Sequence, residues 1–269
     1  PFIPEARYIR YMEIGEIKQQ MRKDLAEDKL NPLQKSLFED RPAEFLFDIE
    51  NDLWETQNLA SNPEYKAVLE KMRNFLKEEI LKSRDVMFLP EYEIGLLSKS
   101  TTAYEYRLDK AIYPLEKIYE SASLSGFREK DVAAKQAELL GSSNEIIRYW
   151  AILGLRSQSA EDLKSISANI VKAMEDKYLP VAVTASAIAY EMFNNNASKE
   201  NLKKFCSDEN LHISLMAINY LLYTKNKHPF IETIRAVHEM EGRDYNVKAA
   251  CMDFLGSLAL VPNNPDYRE

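Results

Sequence analysis

Four segments of the chain share one pattern, and their spacing constrains the fold more than any other feature. They begin at Ile147, Val181, Ile213 and Val247, at intervals of 34, 32 and 34 residues. In each, the first position is apolar and β-branched. The fifth is small (Ala151, Ala185, Ala217, Cys251) and the ninth is apolar (Leu155, Ala189, Leu221, Leu255). Positions one, five and nine fall on one face of an α-helix. A small residue at the centre of that face lets a neighbouring helix approach closely. The intervening stretches, roughly 128–140, 160–175, 198–206 and 228–241, read as partner helices. Each unit is then a helical hairpin that cannot bury its apolar face alone, and stacking buries it.

The pattern resembles the HEAT repeats, which carry an apolar–basic pair like Ile147-Arg148 and Val247-Lys248. The middle two units depart from it, with Ala182 and Ser214 at the basic position. The resemblance implies a mainly α chain with a helical array over residues 99–262 and a tail at 263–269.

The first part reads differently. Residues 5–14 are rich in strand formers, with Tyr8, Arg10 and Met12 alternating against Ile9, Tyr11 and Glu13. A helical or irregular stretch covers 16–40, where Asn31-Pro32 suits the start of a short helix. Ala43 to Ile49 reads as a second strand, with Phe45, Phe47 and Ile49 on one face. Asn62, Pro63 and Glu64 give a cap, a first helical position and an acid for the positive helix end. The spacing of Tyr65, Val68, Leu69, Met72, Phe75, Leu76 and Ile80 then predicts a helix over 63–83, packed by one apolar stripe on a small antiparallel sheet. Residues 84–104 read as a connecting segment. The expectation for 1–98 is therefore a small α+β unit.

Composition excludes several function classes. Residues 1–100 carry 15 Lys/Arg against 20 Asp/Glu, and residues 101–269 carry 20 against 23. Neither part is basic, so a nucleic-acid groove is not expected. The chain has only 7 glycines, too few for Gly-rich phosphate loops or β-sandwich turns. The longest apolar stretch, Ile213 to Tyr223, is interrupted by Ser214 and Asn219 and falls far short of the roughly 20 residues of a membrane span. The opening Pro1-Phe2-Ile3-Pro4-Glu5 reads like the middle of a longer protein.

No complete catalytic constellation is legible. A G-x-S-x-G elbow is missing. Cys251 fills the small-residue slot of a repeat, and Cys206 also reads as packing. His212, His228 and His238 lack ligand spacing and read as surface or helix-end residues. Asp48-x-Glu50-x-Asp52 looks superficially like a calcium loop. However, Leu53 stands where the sharp-turn Gly belongs and Leu59 where the bidentate Glu belongs, so these acids read as a solvated turn. Trp150 and Trp54 read as aromatic core, the latter anchoring the small sheet. The expected catalytic, cofactor-binding and metal-ligating residues are therefore none.

One segment is more specific. Arg41 to Ala60 resembles the C-terminal subdomain of the formylglycine-dependent sulfatases, which typically shows "E-L-Y-D-L" and then "D-P-x-E-x-x-N-L-A". Phe47-Asp48, Asp52, Glu55 and Asn58-Leu59-Ala60 keep that spacing, Glu44 stands one position further upstream of it, and Leu53 replaces the usual Pro. Arg7-Tyr8-Ile9-Arg10 is similar to the family's "Y-K-Y-I-R", and the helix after Asn62 also resembles it. The resemblance implies a bacterial, glycan-degrading sulfatase as parent, working in the periplasm or outside the cell. It implies that formylglycine and calcium act in the parent, since the C-x-P-S-R or S-x-P-S-R motif that holds the nucleophile does not occur here. It also implies that this segment packs against the parent's own catalytic domain and borders its substrate cleft. Arg7, Arg10 and Arg41 are then candidates to meet a sulfated sugar, although a structural role is the commoner use of such residues. The expected partners are that catalytic domain and a sulfated glycan, or a protein on the repeat surface. Two other readings stand beside it: an interaction scaffold with no enzymatic parent, and a helical enzyme of unrecognised type.

Overall fold

A computed structural model describes residues 4–260. Among the described residues the regular elements are helical, and no β-strand is present. Three short helices open the chain: α1 (Arg10–Glu13), α2 (Glu16–Ala26) and α3 (Pro32–Ser36). After an irregular stretch, a 3-10 turn (Pro63–Tyr65) runs into α4 (Lys66–Ser83). Then come α5 (Glu91–Leu97), α6 (Ala103–Tyr106) and α7 (Leu115–Ala122).

Helical hairpins fill the rest. Helix α8 (Lys130–Leu139) pairs with α9 (Glu145–Leu155). Helices α10 (Ala160–Ser165) and α11 (Ser167–Ala173) precede α12 (Leu179–Phe193). Helix α13 (Asn196–Cys206) pairs with α14 (Leu211–Leu222), and α15 (Ile231–Glu239) pairs with α16 (Tyr245–Leu260). The second helices form a ladder: α9 packs on α12, α12 on α14 and α14 on α16. The period of the sequence is thus the period of the stacking.

The face predicted from positions one, five and nine is buried except at Leu255, which is only partly buried. Ala151, Ala185, Ala217 and Cys251 are all fully buried, as are Val181, Ile213 and Val247. A further periodic signal sits just upstream of the ladder helices. Asn144 and Asn210, each three residues before the repeat's first position, accept hydrogen bonds from the next helix's free amides. Asp244 holds the same place and accepts the amide of Asn246 at 2.8 Å. Two residues earlier still, Asp176 and Asp208 accept the amides of Tyr178 and Asn210, both at 2.8 Å. These short polar side chains recur because every hairpin must satisfy the same orphan donors.

The expected strands do not form. Residues 5–14 turn into α1 because Glu13 is pulled inward, where Lys18 at 2.9 Å and Arg22 at 2.6 Å hold its carboxylate. The predicted alternation gives way to Tyr8 and Glu13 as the buried pair. Residues 43–49 form no regular element, and among the described residues no strand lies beside them. Leu46, not the predicted face, points inward, while Phe45 and Phe47 stack on each other with ring centres 5.8 Å apart.

The helix over 63–83 is present, and Asn62 caps it by accepting the Glu64 amide. Its apolar stripe does not meet a sheet. Leu69 joins Leu46 and Leu59 at one end, and Ile80 and Leu81 join the core near Leu89 and Tyr113 at the other. Between them Val68, Met72, Phe75 and Leu76 lie exposed. Trp54 is also exposed (83%), because no sheet exists for it to anchor; residues 52–57 form a turn that lifts it into solvent.

The stretch 84–104, expected to be a connector, docks on the array. The Trp150 indole donates to the Phe88 carbonyl at 2.9 Å, and the Tyr178 hydroxyl donates to the Glu93 carboxylate at 3.0 Å. Helix α5 lies against α14, where a Cβ on Gly95 would stand 2.8 Å from His212 Nε2. Any larger residue there would require the His212 ring to move aside.

Candidate functional site

The segment that carries the sulfatase resemblance folds as a clamp. Asn58 binds the chain on three sides. Its carboxamide oxygen accepts the amides of Leu46 at 2.9 Å and Ala60 at 3.0 Å, and its nitrogen donates to the Glu44 carbonyl at 3.1 Å. The Leu59 amide donates to the Leu46 carbonyl at 2.7 Å. Leu46, Leu59 and Leu69 close a small core beneath. Glu44 reaches across to pair with both Nε and Nη2 of Arg73 on α4. The Asn-Leu-Ala spacing is therefore a way to satisfy backbone groups where the chain doubles back without a sheet.

The acids of this segment are occupied by the turn itself. Asp48 accepts the amides of Glu50 and Asn51 and the Asn51 carboxamide. Asp52 accepts the Gln57 amide at 2.7 Å and the Thr56 hydroxyl at 3.0 Å. The Asn51 side chain, for Asp48, and the Gln57 amide, for Asp52, lead the bonds that hold both carboxyls below the usual range. These bonds use the oxygens that a cation would need. Among the described residues, no group of three or more His, Cys, Asp or Glu stands together in a metal-holding arrangement.

The cysteines do not fit a formylglycine precursor. Cys206 and Cys251 lie among apolar side chains of α13 to α16. Burial pushes the Cys206 thiol far up, and the Cys251 thiol up to about 11. Both are packing groups. The histidines sit at helix ends, as expected: His212 opens α14, His228 opens a 3-10 turn and His238 lies in the last turn of α15.

The arginines named as sugar contacts separate. Arg41 faces Glu5 at 3.7 Å. Arg10 faces Asp253 of α16 at a loose 4.0 Å. Arg7 is exposed, and its carbonyl accepts Lys18 Nζ at 2.6 Å. Arg10 borders an open cleft of about 530 Å³ between α1 and the ladder helices α14 and α16. Sequence reasoning missed this cleft, because Arg10 and Asp253 are 243 residues apart (253 − 10).

Among the described residues no helix is long and apolar enough to cross a membrane. No protein-family model matches the chain, and no solved structure does. A stretch of 95 residues is 39% identical to a protein described as "Ulvan-active sulfatase", from Formosa agariphila. The match covers 34% of this chain and 16% of that protein's length. The chain thus contains a sulfatase-related region.

Proposed function

We propose that this chain is the non-catalytic C-terminal part of a sulfatase whose catalytic domain, with its formylglycine and calcium, lies upstream. The carrying observation is the 39% identity to an ulvan-active sulfatase over 95 residues, a length close to that of segment 1–98. The clamp around Asn58 supports the same reading, since the residues that resemble the family are the ones that build it.

The bare face of α4 supports a role in docking. Val68, Met72, Phe75 and Leu76 make a continuous exposed apolar patch on an otherwise charged helix. Such patches mark surfaces that another domain covers. The catalytic domain is the occupant that this reading supplies. Residues 1–98 then form the sulfatase-related unit and the HEAT-like array begins at 99; the expected end of that array at 262 and the expected tail at 263–269 lie outside the described residues. The parent acts on sulfated glycans in the periplasm or outside the cell.

The test is the coding sequence upstream of Pro1. A C-x-P-S-R or S-x-P-S-R motif some hundreds of residues earlier supports the proposal. An upstream reading frame without that motif overturns it.

A further inference from the structure

The cleft between α1 and the helices α14 and α16 joins an apolar floor to polar groups at its rim. Tyr8 lies buried at its base, and the Tyr223 hydroxyl donates to the Tyr8 backbone carbonyl at 3.1 Å, which ties the Tyr223 ring to the start of α1. Tyr11 stands at the mouth, 74% exposed, and presents a flat aromatic face. Asn219 also faces the cleft from the exposed side of α14. Opposite them Arg10 and Asp253 stand 4.0 Å apart, too far for a hydrogen bond to satisfy either. Both keep donors and acceptors for a third group. Arg7 adds positive charge close to Tyr223.

A ligand for this cleft needs an apolar face, neighbouring hydroxyls and a negative charge. The face would lie on a tyrosine ring. The hydroxyls would meet Asp253 and Asn219. The charge would meet Arg10, whose planar fork suits carboxylate and sulfate oxygens. A volume of about 530 Å³ is ample for a sugar unit with part of its neighbour.

We propose that this cleft is a holding site for an acidic saccharide unit of a polysaccharide. The choice of a sulfated glycan as ligand rests on the sulfatase reading; the cleft itself does not. Its helices α14 and α16 belong to the array, so the repeats would serve to retain a polymer rather than to cut it.

The test is calorimetric titration of the 269-residue chain with a sulfated, uronate-bearing hexasaccharide from chondroitin sulfate. Its chemically desulfated counterpart, neutral cellohexaose and inorganic sulfate are the comparison arms. The expected result is binding of the sulfated hexasaccharide, at least tenfold weaker binding of cellohexaose, and little binding of sulfate alone. Tyr11→Ala and Asn219→Ala alter exposed side chains, and each should weaken binding about tenfold with unchanged melting. Equal affinity for inorganic sulfate overturns the proposal, as does binding that neither variant alters. No binding of any saccharide at millimolar concentration also overturns it. None of these outcomes depends on catalysis, so the sulfatase reading stands or falls separately on the upstream motif.

Discussion

Arg148 grips Asp176 with both ends of its guanidinium fork, Nε to Oδ2 at 2.8 Å and Nη2 to Oδ1 at 2.9 Å. The pair ties the start of α9 to the loop that opens α12, one repeat further on. Both side chains are mostly buried. Burial alone would raise the Asp176 carboxyl, but hydrogen bonds from Arg148 and the Tyr178 amide outweigh it and hold the pKa low. A depressed carboxylate stabilises the fold above its unfolded pKa, and that contribution disappears as pH falls through the lower folded value. Arg148→Met should cost about 2–4 kcal/mol at neutral pH, because it leaves a largely buried charge unpaired. Asp176→Asn should lose stability at pH 7 and converge on the parent chain only in stronger acid, at about pH 2, once the pH has fallen through the lowered folded value. Urea melts at both pH values check this; equal losses at both would contradict the pairing.

The fifth position of each repeat is a steric limit. Ala151 and Ala217 are fully buried where neighbouring helices meet. Ala151→Trp or Ala217→Trp should destabilise by about 1–3 kcal/mol or more through overpacking. Unchanged thermal melting would argue against the close helix approach.

Glu93 gives the opposite pH signature. Its carboxyl is raised, chiefly by burial, although the Tyr178 hydroxyl bond lowers it in part and Glu145 adds repulsion. With the folded pKa above the unfolded one, the native state binds more protons, so stability falls as pH rises through that window. Glu93→Gln keeps an acceptor for Tyr178 and removes the charge. It should raise the melting temperature at pH 7 and leave it unchanged at pH 4. A lower melting temperature at pH 7 would show that the charge anchors α5.

The face of α4 separates the lone chain from a longer protein. Phe75 is 66% exposed, so Phe75→Asp should change the stability of this chain by less than about 0.5 kcal/mol. Preceded by its upstream sequence, the same substitution should cost about 1–3 kcal/mol, since it places a charge in a covered apolar contact. Equal, small effects in both forms would leave the face without an occupant.

The helical array was legible because its constraint is local and repeated. Stacked helices favour a small residue where they approach closely, and Ala151, Ala185, Ala217 and Cys251, spaced 32 to 34 positions apart, are all fully buried on the ladder helices. The caps at Asn144 and Asn210 carry the same period but need the helix ends to be known first. The strands failed for a different reason. The alternation in 43–49 is a property of extended chain, and extended chain becomes a strand only beside a partner. Here Asn58 supplies the hydrogen bonds in place of a neighbouring strand. The stripe on α4 was visible, but a pattern of apolar residues does not say what covers it. The cleft beside Arg10 was invisible because its walls come from opposite ends of the chain.

On the proposed reading, this chain belongs to a sulfatase but performs no sulfate hydrolysis itself. Release of inorganic sulfate from a sulfated polysaccharide, in calcium, tests that most directly. The measurement compares this chain with the same chain preceded by its upstream sequence. Sulfate release by the longer protein only is the predicted result. Turnover by the 269-residue chain alone, or none by the longer protein, would contradict it.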